Sequence, residues 1–322
     1  MVPGIDCVGI ITSVGHLAIK SGLDLGDRVA ALSMNGCTAK YVTLKIDEVI
    51  KVPDGVVPAE AVAVVRTYTA AFQSLMTNVQ GFNRYSRKPL SGDRVLIVGP
   101  CGVFERALVE IALYLGAKRV YFSCISTNQQ SHDMYIRMLG AKPLAADPED
   151  WAEELEGKID VVVDSACIDR FEHSYAALAE NGILVTTGMI ALNKTDDWLS
   201  TIERGWVNAY VAMNPKCNAY EGVIENYFTN RRQFMVSMQT FEAPIVSSWT
   251  NTNHHLYCSV TQKDLIFLFN ALERGKIKPK IATKIPMMKV AAAQERLDLS
   301  PESLERRGVI VVEPWLLPPK DE

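Results

Sequence analysis

A chain of 322 residues is long enough for about two domains, and a hydrophobic share of 48% supplies a core to each, which excludes a disordered polypeptide and a disulfide-held miniature. Lysine and arginine total 33 against 37 aspartates and glutamates, a net charge of -4, and the only adjacent arginines are Arg231-Arg232 and Arg306-Arg307. That distribution would not grip a phosphodiester backbone, so a nucleic-acid partner is not expected.

In residues 1–65, Gly9, Gly15, Gly22, Gly26 and Gly36 punctuate short β-rich runs such as CVGIITSV and RVAALSM, the pattern of a compact all-β domain. A second domain spans 66–275. From Arg94 onward, apolar β-branched runs alternate with helical patterns, as repeated βαβ units around a parallel sheet do. The expected strands are 94–98 (RVLIV), 119–123 (RVYFS), a short 143–145, 160–164 (DVVVD), 182–187 (GILVTT) and 207–212 (VNAYVA). Their consecutive apolar positions predict burial on both faces. Ala107, Leu108, Ile111, Ala112 and Leu115 recur at helical spacing and Gly116 closes that helix, while further crossover helices are expected over 131–139 and 169–179. Residues 214–261 mix aromatic and polar types without period and read as an insertion, a lid or a partner surface. From 276 to 322, IKPKIATKIPM and GVIVVEP look like β-structure returning to the first domain.

Seven cysteines are scattered without a C-x-x-C pair, so they are expected as reduced thiols of a cytoplasmic protein rather than as a disulfide framework or a zinc knuckle. No apolar run reaches the roughly 18 to 20 residues of a membrane span, and the amino terminus lacks a signal peptide's basic region.

The strand RVLIV runs through Gly99-Pro100-Cys101-Gly102-Val103 into a helix, which is where a doubly wound fold cradles a pyrophosphate on backbone N–H groups. An ordinary strand-to-helix turn produces the same G-x-x-G, and Glu105 stands where a third glycine is expected. A carboxylate about 6 Å from a phosphate charge would cost about 2 to 3 kcal/mol at an effective dielectric near 20, roughly a hundredfold in affinity, unless Arg106 neutralises it or Glu105 points away. Beyond the second strand there is no acidic residue for a ribose. Instead Ser123, Cys124, Ser126 and Thr127 follow, with His132 and Arg137 further on, and hydroxyls with cations favour NADPH over NADH. A polar loop before a solvated helix face is the plainer alternative.

The runs VPGIDCVGIITSVG, LGDRVAAL, VPDGVVPAEAVAVVRTYTAAFQSL, SGDRVLIVGPCGVFERALVEIALYLGAK, GILVTTGM and GKIKPKIATKIPM together resemble the medium-chain dehydrogenase/reductase superfamily, nearest its non-zinc quinone oxidoreductase branch. The resemblance covers nearly the whole chain. It implies an α/β fold, a Rossmann doubly wound parallel sheet with a partial GroES-like β domain, with substrate and nicotinamide meeting in the cleft between the two. Family members carry further residues ahead of Val2-Pro3-Gly4, so the chain is expected to begin inside its GroES-like domain.

The zinc branch has Gly-His-Glu where this chain has Gly4-Ile5-Asp6, and the four-cysteine lobe is absent, so no metal is expected. By the same resemblance, Gly99 and Gly102 match the phosphate turn, which Pro100 and Val103 complete, with Val103 and Glu105 replacing two of the family's glycines; Ser123, Ser126 and His132, from their place after the second strand, would face the ribose phosphate. Ser165 ends the fourth strand, while Thr187, Gly188 and Met189 offer backbone groups to the carboxamide. Asp6 and Thr69 would line the nicotinamide side, Thr69 as a positioning hydroxyl, although a turn-capping carboxylate is an equal reading of Asp6. The activity implied is NADPH-dependent reduction of a quinone or enone without metal, carried by orientation and hydrogen-bond donors. An enoyl-thioester reductase and a non-catalytic scaffold stand as alternatives. A homodimer is expected through the edge strand 207–212.

Overall fold

The computed structural model describes residues 3–33, 36–76, 85, 88–125, 129–166, 171–186, 232–237, 253–257, 262–299 and 307–316. Its residues group into two compact units, Met1–Phe72 with Gly102–Ile111 and Ser259–Glu322, and Gln73–Cys101 with Ala112–Cys258.

The first unit opens with β1 (Asp6–Ile10), a short helix α1 (His16–Lys20), β2 (Arg28–Leu32) and β3 (Val49–Lys51), which form an antiparallel sheet in that order. Gly4 leads into it at φ 89°, and a side chain there would collide with Thr38, so both backbone and space demand glycine. α2 (Pro58–Ala63) starts on a proline, whose missing N–H costs nothing in a first turn. It widens into a π-helical turn over Val64–Tyr68 before α3 (Thr69–Leu75).

The second unit is built on β4 (Arg94–Gly99), whose apolar run is buried from Val95 to Gly99. α4 (Val103–Tyr114), whose residues up to Ile111 group with the first unit, follows, then β5 (Arg119–Cys124), α5 (Gln129–Met138), β6 (Lys142–Leu144), α6 (Glu149–Leu155), β7 (Ile159–Asp164), α7 (Glu172–Ala176) and β8 (Leu178–Thr186). β9 (Arg232–Ser237) and β10 (Asn253–Tyr257) complete a seven-stranded sheet in the order β10-β9-β8-β7-β4-β5-β6, every pairing parallel. Leu96, Val98, Trp151, Leu155, Val162 and Leu184 form one buried cluster against it. Each such side chain contributes about 1.5 to 3 kcal/mol. The expected alternation of strand and helix is thus present, and the parallel doubly wound sheet with it.

Several elements differ from expectation; residues 1–65, read as all-β, also carry the helices α1 and α2. The helix expected over 169–179 is confined to Glu172–Ala176, because Gly157, Lys158 and Ile159 donate their amides to the carbonyls of Ala176 and Ala177 and draw that stretch alongside β7. β8 therefore begins at Leu178, with a register shift opposite Ile159 and Val161. The aperiodic stretch 214–261 contains β9 and β10, which main-chain pairing holds in the sheet without a side-chain pattern to announce them. The strand expected over 207–212, and the dimer contact placed on it, lie outside the described residues.

The chain then returns to the first unit with α8 (Gln262–Glu273), β11 (Ile281–Pro286), α9 (Val290–Leu299) and β12 (Val309–Glu313), β11 and β12 pairing in parallel. Among the described residues no helix is long and apolar enough to cross a membrane.

Candidate active site

The carboxyl end of β4 is held from both sides. Ile125, just past β5, donates its amide to the Gly99 carbonyl at 3.1 Å, and Ser165, just past β7, donates its amide to Val98 at 2.9 Å. The chain proceeds to β5 and β6 on one side and to β7 and β8 on the other, so Gly99 sits at the point where strand order reverses. In open α/β sheets that is where ligands bind.

The turn itself is already occupied by a carboxylate. Glu105, the third residue of α4, is 3% exposed, and its Oε2 accepts the Gly102 amide at 3.1 Å. This is one half of a capping box, with a glycine in place of the hydroxyl residue that would return the bond. A side chain added at Gly102 would come within 3.0 Å of that oxygen, so glycine here admits the folded-back carboxylate. The Glu105 group thus takes the amide that a bound phosphate would use. The neighbouring Arg106 is engaged on its other side. Its guanidinium pairs with Glu110 at 2.7 Å and donates to the Lys278 carbonyl at 3.0 Å.

The same turn carries a covalent tie. Cys101 is joined to Cys124 at the end of β5, with Cα atoms 5.6 Å apart, which corrects the expectation that these two are reduced thiols. Parallel pairing of Gly99 with Cys124 places the two side chains at the same end of adjacent strands, a proximity that sequence spacing of 23 residues does not reveal. His132, on α5, is buried beside them, and its ring nitrogen and the two sulfurs all lie within 4.8 Å of one another.

The other expected residues are distributed as follows. Pro100 is exposed and Val103 half-buried at the turn. Ser123 is fully buried, and its hydroxyl donates to the Ala145 carbonyl at 2.7 Å instead of facing a ribose phosphate; its position inside β5 turns it toward β6. Ser165 also donates its hydroxyl to Val98, at 3.2 Å. Asp164 beside it accepts the Ser174 hydroxyl at 2.6 Å and the Ala166 amide at 2.8 Å, which fixes the turn after β7. Thr69 is fully buried and donates to the Val64 carbonyl at 3.4 Å, so its hydroxyl closes the π turn. Ser126, Thr187, Gly188 and Met189 lie outside the described residues.

Asp6 lies on β1, where burial pushes its carboxyl above the usual carboxylate range against the opposing pull of the Arg66 guanidinium. Beside it the Cys37 thiol hydrogen-bonds Cys7, which lowers the Cys7 thiol and raises that of Cys37. A network the sequence left unnoticed joins Tyr68, whose hydroxyl donates to Glu110 at 2.9 Å, to Arg106 and to the Lys278 amide, which donates to the same carboxylate at 2.8 Å. Only the four-residue spacing of Arg106 and Glu110 hinted at it. A depression bordered by Arg94, Lys118, Arg119 and Lys158 lies at the amino-terminal end of β4 and β5, opposite the end that binds ligands in such sheets.

A family model for zinc-binding dehydrogenases matches residues 139–312. Among curated proteins, the trans-enoyl reductase buaC of Petromyces alliaceus is 28% identical over 228 residues, 64% of this chain and 60% of that one. The highly reducing polyketide synthase pkhB of Emericella nidulans is 27% identical over 191 residues, which are 58% of this chain and 7% of the synthase. A mycobacterial protein solved in complex with NADPH shares the fold at a TM-score of 0.61 and 21% identity, covering 97% of this chain and 82% of that one. Gly4-Ile5-Asp6, where the resemblance led to no metal being expected, offers one carboxyl group, whose pKa burial raises, and no imidazole. The seven-stranded parallel sheet, its strand reversal at Gly99 and a family match over more than half of the length make the chain a member of the zinc-binding dehydrogenases, within the medium-chain dehydrogenase/reductase superfamily.

Proposed function

We propose that the protein is a reductase that uses NADPH to reduce an α,β-unsaturated carbonyl compound, an enoyl thioester or a quinone, without a metal ion. The observation that carries this reading is the strand reversal at Gly99, with a glycine turn opening directly into α4. The trans-enoyl reductase and polyketide synthase among its relatives favour the enoyl member of that substrate class.

The main-chain groups of Gly99, Pro100, Gly102 and Val103 would hold the cofactor's pyrophosphate, with the amino end of α4 adding its dipole. They fit the group on one condition, that Glu105 releases the Gly102 amide. When bound, the cofactor supplies the hydride. The protein's part is to orient the acceptor and to exclude water while negative charge gathers on the carbonyl oxygen. The turn after β7 is prepared for this, since Asp164 and Ser165 spend their side-chain hydrogen bonds on holding its shape.

A specific observation favours a second reading, a member of the fold that has lost its cofactor. The folded-back Glu105 and the Cys101–Cys124 tie both lie on the phosphate turn. Titration of the protein with NADPH, followed by its fluorescence, together with NADPH oxidation in the presence of a short enoyl thioester or a quinone, separates the two. Saturable binding with turnover of either acceptor supports the reductase. Absence of binding at about millimolar cofactor, a concentration that corresponds to only about 4 kcal/mol of affinity, supports the scaffold.

A further inference from the structure

We infer that the protein, once its Cys101–Cys124 bond is reduced, binds one thiophilic divalent cation of the zinc type through the Cys101 and Cys124 thiolates and the His132 imidazole. The three residues come from the turn after β4, the last position of β5 and the first turns of α5, so the sheet, and not a local sequence motif, assembles them. All three are buried, Cys124 completely. Their ligand atoms already lie within 4.8 Å of one another. A tetrahedral site with metal–sulfur bonds of about 2.3 Å and metal–nitrogen bonds of about 2.0 Å needs ligand atoms roughly 3 to 4 Å apart, which asks the two sulfurs to separate on reduction within a cluster already of that size. Two thiolates and an imidazole are a soft donor set that selects zinc over magnesium or calcium, and they leave a fourth position for water or another ligand.

The disulfide and the metal site use the same sulfur atoms, so the two states exclude each other. A dithiol reductant delivers two electrons and two protons to the Cys101–Cys124 bond and closes into its own disulfide. Metal binding then displaces the two thiol protons to solvent, which makes affinity rise with pH. The Gly4-Ile5-Asp6 position takes no part, so this site is separate from the one the family uses for zinc. Cys101 lies between Gly99 and Gly102, so the site shares its backbone with that turn.

The test uses the full chain reduced with dithiothreitol, freed of reductant under anaerobic conditions and titrated with cobalt(II). The expected result is one equivalent of cobalt per chain, with thiolate-to-metal charge-transfer absorption and the intense visible bands of tetrahedral coordination, displaced by zinc. The oxidised protein should show none of this. C101S and C124S should abolish the charge-transfer band. H132Q, which keeps both sulfurs, should weaken cobalt binding about tenfold to a hundredfold, and C7S/C37S should leave the spectrum unchanged. Circular dichroism confirms that each variant is folded, and H132Q serves if a cysteine variant is not. The inference is overturned if reduced wild-type protein gives no thiolate band, if the band survives in C101S, C124S or H132Q at unchanged affinity, or if it requires Cys7 and Cys37. None of these readouts depends on NADPH.

Discussion

Glu105 is a carboxylate placed where the proposed chemistry needs an anion from outside. Its Oε2 satisfies the Gly102 amide, so the free protein gains a helix cap worth about 1 kcal/mol, and the cofactor must displace it. Glu105→Ala is therefore expected to move two measurements in opposite directions. NADPH affinity should rise by up to about a hundredfold, the Coulomb cost of a buried like charge some 6 Å away, while the urea midpoint falls by the lost cap. Glu105→Gln, which keeps an acceptor and drops the charge, should recover most of the stability and most of the affinity. An Ala variant with unchanged NADPH affinity would show that the carboxylate does not compete. Asp6 provides a second test. Its folded carboxyl titrates above its unfolded value of about 3.9, so the native state holds the proton more tightly. The stability it contributes is present below that unfolded value and is lost as pH rises through the folded one. Asp6→Asn should remove that decline, so the melting temperature of the variant relative to wild type should climb between pH 4 and pH 7; a falling difference would mean that attraction to Arg66 outweighs burial. At this scale the sequence marked Glu105 as standing where a third glycine is expected. It left open whether the side chain points away or folds back, because that depends on the space left by Gly102.

Elements with a strong local period were legible, and elements held by partners were not. α4 follows from Ala107, Leu108, Ile111, Ala112 and Leu115 on one face, closed by Gly116 at φ 93°, and β4, β5 and β7 follow from unbroken β-branched runs. β9 and β10 carry no such pattern, and β8 starts early because Ala176 and Ala177 are drawn to the start of β7. The Tyr68–Glu110–Arg106 network belongs with the second group: it joins the π turn to α4 and to the Lys278 backbone through one carboxylate whose side chain is only 11% exposed. Glu110→Ala leaves a tyrosine hydroxyl, a guanidinium and a backbone amide without their shared acceptor. It should cost about 3 kcal/mol in chemical denaturation, whereas Tyr68→Phe, which removes one donor and leaves the ion pair, should cost about 1 kcal/mol. A Glu110→Ala loss within about 0.5 kcal/mol would show that water replaces the carboxylate without penalty.

At the scale of the molecule, strand order decides what any single strand end can mean. The alternation of strands and helices was readable along the chain, but the reversal at β4 is a property of the assembled sheet, and it converts a weak G-x-x-G into a candidate cofactor site. It also fixes which strand end would meet which half of the cofactor. With β5 and β6 on one side of β4 and β7 and β8 on the other, the adenosine ribose of a dinucleotide belongs over the end of β5 and the nicotinamide over the ends of β7 and β8. The residues from Ser123 to Thr127 include no carboxylate to accept ribose hydroxyls, and a 2′-phosphate there meets no like charge from that segment. With no carboxylate in that segment to favour free ribose hydroxyls, NADPH is accordingly expected to bind more tightly than NADH, by up to roughly tenfold. Competition of the two cofactors in the same fluorescence titration measures the ratio, best in Glu105→Ala, where the phosphate turn is open to both. Tighter binding of NADH would place an acidic partner over β5 from elsewhere in the chain and would reverse the assignment of the ribose end, while leaving the strand reversal and the glycine turn as they stand.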